Sequence, residues 1–274
     1  MELWFSEYQS KNVRFSVRIK DMLYSKKTPY QFLCVFDTED MGRIMTLDDV
    51  VQLTTKDEFV YHEMISHVPL FTHRSPERVL VIGGGDGGTV REILKHPVKE
   101  VHLVEIDEQV IEASKKFFPS LSSGFSDPRT SVFCEDGIEF VKKNKGYDVI
   151  IIDSTDPLGP AVGLFSREFY RDVFYALNDD GIMVAQTESP FFYGEFLKRV
   201  YSDISSVFKF TNVYTAVIPT YPGALWTFTM GSKSIDPISV NSMKLPEFDT
   251  KYYSPDIHKN CFVLPPFVQK MISK

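Results

Sequence analysis

From Arg78 onward, short apolar segments alternate with helical patterns, and this alternation constrains the fold more than any other feature of the chain. The segments between the apolar ones repeat apolar residues at helical spacing, as Val110, Ala113 and Phe117 do. Such alternation predicts a parallel sheet that is covered by helices on both faces. We expect five parallel strands in RVLVIGG, EVHLVEID, TSVFCED, YDVIIIDS and GIMVAQTE, and an antiparallel edge pair in FTNVYTAVIP and LWTFTMGSK.

The region before residue 58 has a different pattern, in which β-branched and aromatic residues are separated by Gly, Asp and Pro. This pattern predicts a small antiparallel β-region with strands in FSVRIKDMLYS, YQFLCVFDT, GRIMTLDD and VVQLTT. A helix is expected next, in KDEFVYHEMISHVPLF. We therefore predict two domains, an N-terminal β-strand domain at 1–57 and a Rossmann-like catalytic domain at 58–274.

Charge and composition exclude several classes of function. The net charge of −7 argues against nucleic acid as the main partner, because phosphate binding needs clustered Lys and Arg. The longest apolar runs are strand-sized, so we expect no membrane helix, and the start of the chain has no signal-peptide pattern. Neither the six histidines nor Cys34, Cys134 and Cys261 have metal-ligand spacing. We predict a cytoplasmic protein with reduced thiols and without a metal site.

Acidic or amide side chains follow each of the five predicted parallel strands. Because open parallel sheets bind ligands beyond the carboxyl ends of their strands, we expect the functional site at this rim. Taken singly, each of these side chains could instead be a helix cap or a turn residue. They are Asp86 after the first strand, Glu105 and Asp107 after the second, Asp136 after the third, Asp153 after the fourth, and Gln186 with Glu188 after the fifth.

The turn in VLVIGGGDGG fits the pattern G-x-G-x-x-G through Gly83, Gly85 and Gly88. Glu105 follows Gly85 by about twenty residues, the spacing at which an acid binds ribose hydroxyls. Asp86 lies inside the turn, and a carboxylate about 4 Å from a pyrophosphate would cost on the order of 4 kcal/mol per charge pair. We therefore expect an adenosine ligand that carries an amine rather than a dinucleotide. The alternative is that Asp86 caps the next helix and points away.

Two acids, Asp153 and Asp156, stand three residues apart where a buried strand meets a loop rich in Pro and Gly. At that spacing around a tight turn, both carboxylates can face one pocket. The alternative is a capped turn ahead of the helix near Phe165.

Five segments together resemble the polyamine aminopropyltransferases, and most closely the spermidine synthases within that family. They are VLVIGGGDGGTVREILKHP, VEIDEQVI, DSTDPLGPA, IPTYPGALW and KYYSPDIHKNCFVLPPF, and the resemblance runs from Trp4 to the final FVLPPF. It implies a methyltransferase-like Rossmann domain with a mostly parallel seven-stranded sheet, preceded by a small antiparallel β-domain. It further implies a homodimer or homotetramer assembled through the N-terminal region.

The resemblance also implies a reaction. An aminopropyl group would pass from decarboxylated S-adenosylmethionine, a co-substrate rather than a cofactor, to putrescine, giving spermidine and methylthioadenosine. This donor keeps a primary amine and lacks the carboxylate of ordinary S-adenosylmethionine. A carboxylate at Asp86 would therefore attract the first compound and repel the second. No metal and no covalent intermediate are needed.

Family roles fall on matching residues of this chain. On the donor side, the resemblance implies that Gln31 and Asp86 contact the aminopropyl part and that Glu105 contacts the ribose. It implies that Asp136 and Gly137 contact the adenine edge. Pro160 and Ala161 would belong to a loop over the adenine. On the acceptor side, the resemblance implies a channel lined by Gln52, Tyr61, His62, Asp153, Asp156, Gln186 and Tyr221, with Trp226 as a further pocket position.

Three of these residues would act in catalysis. Asp153 would be the general base, Tyr61 would position it, and Asp156 would anchor the acceptor through charge-assisted hydrogen bonds. His62 would have an orienting role.

Other functions stay open at this point. A conventional S-adenosylmethionine methyltransferase shares the fold, and a binding protein that senses an adenosine ligand would share the site. A dehydrogenase fits less well, because only one nucleotide-binding half is visible. The sequence also leaves cadaverine, agmatine and spermidine open as acceptors.

Overall fold

The computed structural model of the chain describes residues 2–156, 159–240 and 249–273. Within these residues the strands form two sheets, a five-stranded antiparallel sheet and a seven-stranded, mostly parallel sheet. The predicted fold class is therefore confirmed. No described helix combines the length and the apolar character that crossing a membrane requires. The three cysteines are free thiols, and two of them are buried.

The first sheet is a meander in which each strand pairs antiparallel with the next one along the chain. Its strands are β1 (Leu3–Ser10), β2 (Val13–Lys27), β3 (Phe32–Thr38), β4 (Arg43–Leu47) and β5 (Val50–Thr54). The outermost strand, β1, lies outside the segments that the sequence predicts. Most of its side chains are at least partly exposed, so it lacks the buried alternation that marks a strand, and backbone pairing with β2 holds it in place.

The second sheet has the order β11-β12-β10-β9-β6-β7-β8. Its strands are β6 (Arg78–Gly83), β7 (Glu100–Val104), β8 (Thr130–Phe133), β9 (Tyr147–Asp153), β10 (Leu177–Gln186), β11 (Phe210–Val217) and β12 (Leu225–Ser232). The five predicted parallel strands and the antiparallel edge pair are all confirmed. The strand order reverses between β6 and β9, which is the point where open α/β sheets bind ligands.

Both faces of this sheet are apolar because helices cover both of them. Along β6 and β9, Val79 and Val149 pack into one core cluster, and their neighbours Leu80 and Ile150 pack into the other. The helices are α1 (Glu58–Thr72), α2 (Gly88–Ile93), α3 (Glu108–Phe117), α4 (Gly137–Lys143), α5 (Arg167–Ala176), α6 (Gly194–Ser205), α7 (Pro255–Asn260) and α8 (Pro266–Ile272). Short 3₁₀ helices occupy Ser122–Ser126, Gly159–Phe165 and Pro237–Ser239.

The two sheets meet through α3. Leu33 and Met45 of the first sheet pack against Val110 and Ala113 of this helix, in one apolar cluster. This contact places the first sheet beside the loop that follows β7. The predicted domain boundary after residue 57 falls in the turn between β5 and α1.

Helix α1 is buried on almost all sides, including several of its charged residues. A buried charge is tolerated only where other groups compensate it. Glu63 meets this requirement through the backbone of the C-terminal segment, because Oε1 accepts a hydrogen bond from Lys251 N and Oε2 accepts from Tyr252 N and Tyr253 N, each at 2.8 Å. One side chain of α1 therefore fixes the path of residues 251–253.

We expect Glu63→Gln to lower the free energy of unfolding by about 2–3 kcal/mol, because the amide can satisfy only part of the three buried donors. Urea unfolding measures this loss, and hydrogen exchange should speed up selectively at the amides of residues 251–253. Glu112→Gln, on the exposed face of α3, is the control and should change stability by less than about 0.5 kcal/mol. Equal effects of the two variants would show that Glu63 does not hold the segment.

Candidate active site

A cleft opens beyond the carboxyl ends of the parallel strands. It has a large lobe and a small lobe, whose shared wall is formed by Val50, Gln52, Tyr61, Ser154, Thr155, Asp156 and Tyr221. The large lobe is also lined by Gln31, His62, Asp86, Glu105, Asp136, Gly137, Asp153 and Ala161, and the small lobe by Glu7, Gln186, Pro222 and Trp226. Every residue to which the resemblance assigns a role lines this cleft except Pro160, whose side chain lies outside the described part of the chain. The roles assigned to them stay predictions. Of the acids predicted at the rim, Asp107 and Glu188 do not line the cleft.

The glycine-rich turn packs directly against the end of β9. Gly83 has φ +82°, and a Cβ atom there would lie 2.1 Å from the carbonyl oxygen of Asp153. Gly84 has φ +68°, and its Cβ atom would lie 2.7 Å from Asp153 Oδ2. Both the left-handed backbone and the close approach require glycine here. The turn therefore brings Asp86 and Asp153 to the same part of the cleft.

Asp153 ends β9, lines the large lobe next to the shared wall, and is buried. Its Oδ1 accepts a hydrogen bond from Tyr61 Oη at 2.7 Å, and its Oδ2 accepts one from Thr89 Oγ1 at 2.6 Å. Burial raises the pKa of Asp153 above its usual value, and the nearby carboxylate of Asp86 raises it further. Asp153 is thus an oriented carboxyl with an increased affinity for a proton.

Asp86 is held by two neighbours. Its Oδ1 accepts a hydrogen bond from Gly88 N at 2.7 Å and lies 3.2 Å from His62 Nε2. Burial disfavours the charged form, but the pairing with His62 outweighs it and keeps the pKa of Asp86 below its usual value. Asp86 therefore makes the local contact at the helix start that the alternative interpretation expects, and it also lines the cleft.

Glu105 is buried against the same turn, since a Cβ atom on Gly85 would lie 2.8 Å from it. Burial raises the pKa of Glu105 to about 7, although Oε1 accepts a hydrogen bond from Asp107 N at 2.9 Å. Asp107 in turn begins α3 and accepts a hydrogen bond from Gln31 Nε2 at 3.0 Å. The first sheet is thereby tied to the rim of the second.

At the outer edge of the large lobe, Asp136 is exposed and begins α4. Its Oδ1 accepts a hydrogen bond from Ile138 N at 2.7 Å. The turn interpretation is correct for its local structure, and the residue lines the cleft as well.

Asp156 of the small lobe has a second carboxyl, that of Glu188, as its neighbour. Glu188 is 1% exposed and has φ +67°. Burial raises the pKa of both groups, that of Glu188 well above its usual range, and Asp156 raises the pKa of Glu188 further. Both carboxyls therefore have an increased affinity for a proton.

Aromatic side chains form the walls of this lobe. Tyr221 stacks edge-on to Tyr61 at 5.8 Å between ring centroids and lies 4.5 Å from Trp226. Its hydroxyl donates to the carbonyl oxygen of Gln52 at 2.5 Å. Gln186 closes the end of β10 by donating to the carbonyl oxygen of Ser154 at 3.3 Å. The lobe is narrow, apolar along its sides and acidic at its end.

Some residues in or beside the cleft are not predicted from the sequence. Thr89 carries no signal, because a threonine near a helix start usually serves as a cap. Glu7 comes from β1, far away in sequence, and closes the small lobe while accepting a hydrogen bond from Val51 N at 2.8 Å. Glu58 precedes His62 by four residues on α1, and that spacing alone could have indicated their contact.

A metal at this cleft has no visible set of ligands among the residues described. The group whose ligand atoms lie within 4.8 Å of one another is His73, Asp148 and Asp180. Asp148 stands at the start of β9, whereas the cleft lies at its end. The expectation of a reaction without a metal or cofactor stays a prediction.

The arrangement suits group transfer between a nucleoside-sized cation and a small amine. Acids line both lobes, among them Asp86, Glu105, Asp136 and Asp153 in the large lobe and Glu7 and Asp156 in the small lobe. Little positive charge faces the cleft from the described residues, with His62 the exception, so phosphate-bearing ligands are disfavoured.

Comparisons with known proteins point to one family. A family model described as the spermine/spermidine synthase domain matches residues 58–242, and one described as the spermidine synthase tetramerisation domain matches residues 3–55. The polyamine aminopropyltransferase of Thermoanaerobacter pseudethanolicus is 55% identical over 276 residues, covering 100% of both chains. That of Bacillus subtilis is 51% identical over 273 residues, covering 99% of each chain.

Solved structures agree with this. The spermidine synthase of Thermotoga maritima matches with 42% identity and a TM-score of 0.93, covering 98% of this chain and 94% of that one. A spermidine synthase in complex with the transition state analogue AdoDATO matches with 43% identity and a TM-score of 0.95 over the same shares of the two chains.

We expect Glu105→Gln to stabilise the unliganded protein above pH 7 by about 1–3 kcal/mol, since the variant no longer ionises a buried carboxyl. Between pH 4.5 and 7, the native wild-type protein keeps a proton that the unfolded chain releases, so its stability falls as pH rises. The difference between variant and wild type should therefore grow across this range. Urea unfolding at several pH values measures it, with Glu112→Gln as the control. A difference that does not change with pH would contradict the buried ionisation of Glu105.

Proposed function

The chain belongs to the spermine and spermidine synthase family and is a polyamine aminopropyltransferase, and we propose that its acceptor is putrescine and its general base Asp153. The reaction would convert decarboxylated S-adenosylmethionine and putrescine into methylthioadenosine and spermidine. The observation that carries this proposal is the position of Asp153, an oriented carboxyl with a raised pKa that lines the nucleoside-sized lobe and is hydrogen-bonded to Tyr61 in the wall shared with the small lobe.

In this proposal, decarboxylated S-adenosylmethionine lies in the large lobe. Glu105 accepts hydrogen bonds from the ribose hydroxyls, and Asp136 with Gly137 faces the adenine edge. Asp86 meets the ammonium of the aminopropyl group. The support for this last contact is that only Oδ1 of Asp86 is engaged by described residues, which leaves Oδ2 available to the cleft.

The acceptor lies in the small lobe, with its reacting nitrogen beside Asp153 and its remote ammonium at Asp156. Glu188, a buried carboxyl beside Asp156, supports this second contact from behind. Charge-assisted hydrogen bonds from an ammonium would favour the ionised form of Asp156. A diamine fits such a lobe because it brings one nitrogen to each acidic end and methylene groups to the aromatic walls.

The chemical step requires a neutral amine. An alkylamine with a pKa near 10.4 is neutral only about once in 2,500 molecules at pH 7, which adds roughly 4.6 kcal/mol to the barrier if nothing accepts the proton. Asp153 would accept it while the nitrogen attacks the methylene carbon next to the sulfonium. A nitrogen–carbon bond forms, the carbon–sulfur bond breaks, and its electron pair returns to sulfur as a neutral thioether. Tyr61 and Thr89 hold the base in one orientation.

We further propose a homo-oligomer, a dimer or a tetramer, that assembles through the N-terminal sheet. The match to a family model for a tetramerisation domain supports this, and so do Leu3, Trp4 and Tyr8, large apolar residues exposed on β1. The cytoplasmic location and the absence of nucleic-acid partners stay predictions.

The product of the reaction tests the function directly. With decarboxylated S-adenosylmethionine and a panel of putrescine, cadaverine, agmatine and spermidine, we expect methylthioadenosine and spermidine by mass spectrometry, with putrescine giving the highest kcat/KM. S-adenosylhomocysteine formed from S-adenosylmethionine would indicate a methyltransferase instead. Donor binding without any product would indicate a sensor. A higher kcat/KM for another amine would refute the proposed acceptor while leaving the transferase activity intact.

We expect Asp153→Asn to lower kcat by about 10²-fold or more, as loss of a general base does, with little change in donor affinity. In the wild type, kcat/KM should fall as pH drops through the raised pKa of Asp153, because a protonated base cannot accept the amine proton. Steady-state kinetics from pH 6 to 9 and calorimetric titration of the donor measure the two effects. Asp40→Asn, at an exposed turn far from the cleft, is the control. An unchanged rate for Asp153→Asn across this range would remove Asp153 from the mechanism.

A further inference from the structure

A chain of alternating charges runs from the interface of α1 and α2 to the cleft. Arg91 donates to both oxygens of Glu58, from Nη1 to Oε1 at 3.1 Å and from Nη2 to Oε2 at 2.9 Å. Glu58 Oε2 lies 2.6 Å from His62 Nδ1, and His62 Nε2 lies 3.2 Å from Asp86 Oδ1. Glu58, His62 and most of Arg91 are withdrawn from water.

This geometry determines the protonation of His62. A neutral imidazole has one N–H group and one nitrogen lone pair, and the lone pair would face a carboxylate oxygen on one side or the other. Each ring nitrogen has a carboxylate oxygen at hydrogen-bond distance, an arrangement that two N–H groups satisfy and a single N–H group does not. The geometry therefore favours an imidazolium. Consistent with this, Asp86 and Glu58 together outweigh the desolvation of the ring and raise the pKa of His62 to about 10.

Space for the ring is provided by a glycine. A Cβ atom on Gly88, the first residue of α2, would lie 2.4 Å from the imidazole of His62. The ring therefore sits against the backbone of the residue whose N–H also binds Asp86. Asp86 is fixed by two donors at one oxygen, and its other oxygen is left for the cleft.

The positive charge of His62 affects the proton affinities of two neighbouring acids, Asp86 and Asp153, differently. Asp86 and Asp153 repel each other, and without a nearby cation one of them would take up a proton. The positive charge of His62 lies closer to Asp86, so Asp86 stays ionised while Asp153 has the raised proton affinity. One acid becomes a permanent anion and the other a proton acceptor, which is how sites with two carboxyls divide their roles.

We propose that Glu58, held by Arg91, is a positioning residue that keeps His62 doubly protonated and thereby keeps Asp86 charged toward the donor's ammonium. The identity of that ligand rests on the proposed function, whereas the charge state of His62 does not. Glu58 touches neither lobe of the cleft, so it acts only through His62.

The groups that face His62 come from several elements. Glu58 and the edge of the Tyr61 ring belong to α1, Asp86 belongs to the turn after β6, and Asp153 at the end of β9 acts through space. Burial disfavours the anion of Glu58, but His62 and then Arg91 of α2, which lies behind Glu58, stabilise it and hold the pKa of Glu58 at about 2. Between pH 6 and 9, the pKa values of His62 and Glu58 thus predict no change of charge on either group.

The test is Glu58→Gln, which keeps the shape of the side chain and removes its charge. We expect the pKa of His62 to fall by about one to two units, because one of its two carboxylate partners is lost. At pH 9 the ring of the variant should be largely neutral while Asp86 stays ionised, so decarboxylated S-adenosylmethionine should bind about three- to tenfold more tightly at pH 9 than at pH 6.5, because the positive charge of His62 no longer opposes its ammonium. Methylthioadenosine, which has no ammonium, should bind equally at both pH values. The wild type should show no such pH dependence for either compound. At saturating donor, kcat should change by less than about threefold.

Glu92→Gln is the matched control. Glu92 is buried at the same helix interface and binds the same arginine, through Arg91 Nε at 2.8 Å, but it has no contact with His62. A merely structural effect of losing a buried acid should appear in both variants as a lower unfolding free energy. The ratio of the dissociation constants of decarboxylated S-adenosylmethionine and methylthioadenosine should depend on pH only in Glu58→Gln. This pH dependence in both variants, or in neither, would overturn the proposal.

A measurement on the wild type keeps the proposal falsifiable even if Glu58→Gln does not fold. With ¹⁵N-labelled histidine, and with His62→Gln to assign the signals, NMR should show His62 protonated at both nitrogens from pH 6 to 9. Titration of His62 below pH 8 would overturn the proposal. If the protein binds no decarboxylated donor at all, the proposed function fails, yet the spectrum of His62 still decides the charge state.

Discussion

A buried carboxylate is stable only if a nearby positive charge or a bound proton compensates its negative charge. The structure of the cleft depends on how its buried acids are compensated. Its acids are too close and too buried to be ionised independently. Asp86 is paired with His62, burial raises the proton affinity of Asp156 and Glu188, and burial raises the pKa of Glu105 to about 7. A site compensated by its own lysines would bind anions. In this cleft, part of the positive charge that compensates the acids is left for bound ligands to supply. This explains why the cleft suits small cations.

Helix α1 carries most of the residues that take part in compensating buried charges. Tyr61 and His62 face the cleft, Glu58 lies one turn before His62, and Glu63 binds the backbone of residues 251–253. Because neighbouring residues on a helix point in different directions, one buried element contacts Asp153, Asp86 and the C-terminal segment at once. The glycines of the turn after β6 allow the strand ends to approach this helix closely.

The sequence predicts the second sheet well, because buried parallel strands and the helices between them leave strong periodic patterns. The rim is predictable for the same reason, since topology alone gathers the residues after Gly83, Val104, Phe133, Asp153 and Gln186 at one edge. The motif resemblance then names the residues of both lobes. What the sequence does not predict are contacts between distant segments whose members look ordinary, such as Thr89 with Asp153 or Glu7 at the small lobe. Strand β1 is not predicted either, because its side chains lack the alternation of buried and exposed residues that marks a strand.

The raised proton affinity of Asp156 and its neighbour Glu188 has a consequence for energetics. A cation that binds beside Asp156 favours the ionised carboxyl and therefore lowers its affinity for a proton. If that cation is the ammonium of the proposed acceptor, its binding is linked to the release of protons. The apparent affinity for the amine would then depend on the hydrogen-ion concentration of the medium, and the observed heat of association would include the ionisation enthalpy of the buffer.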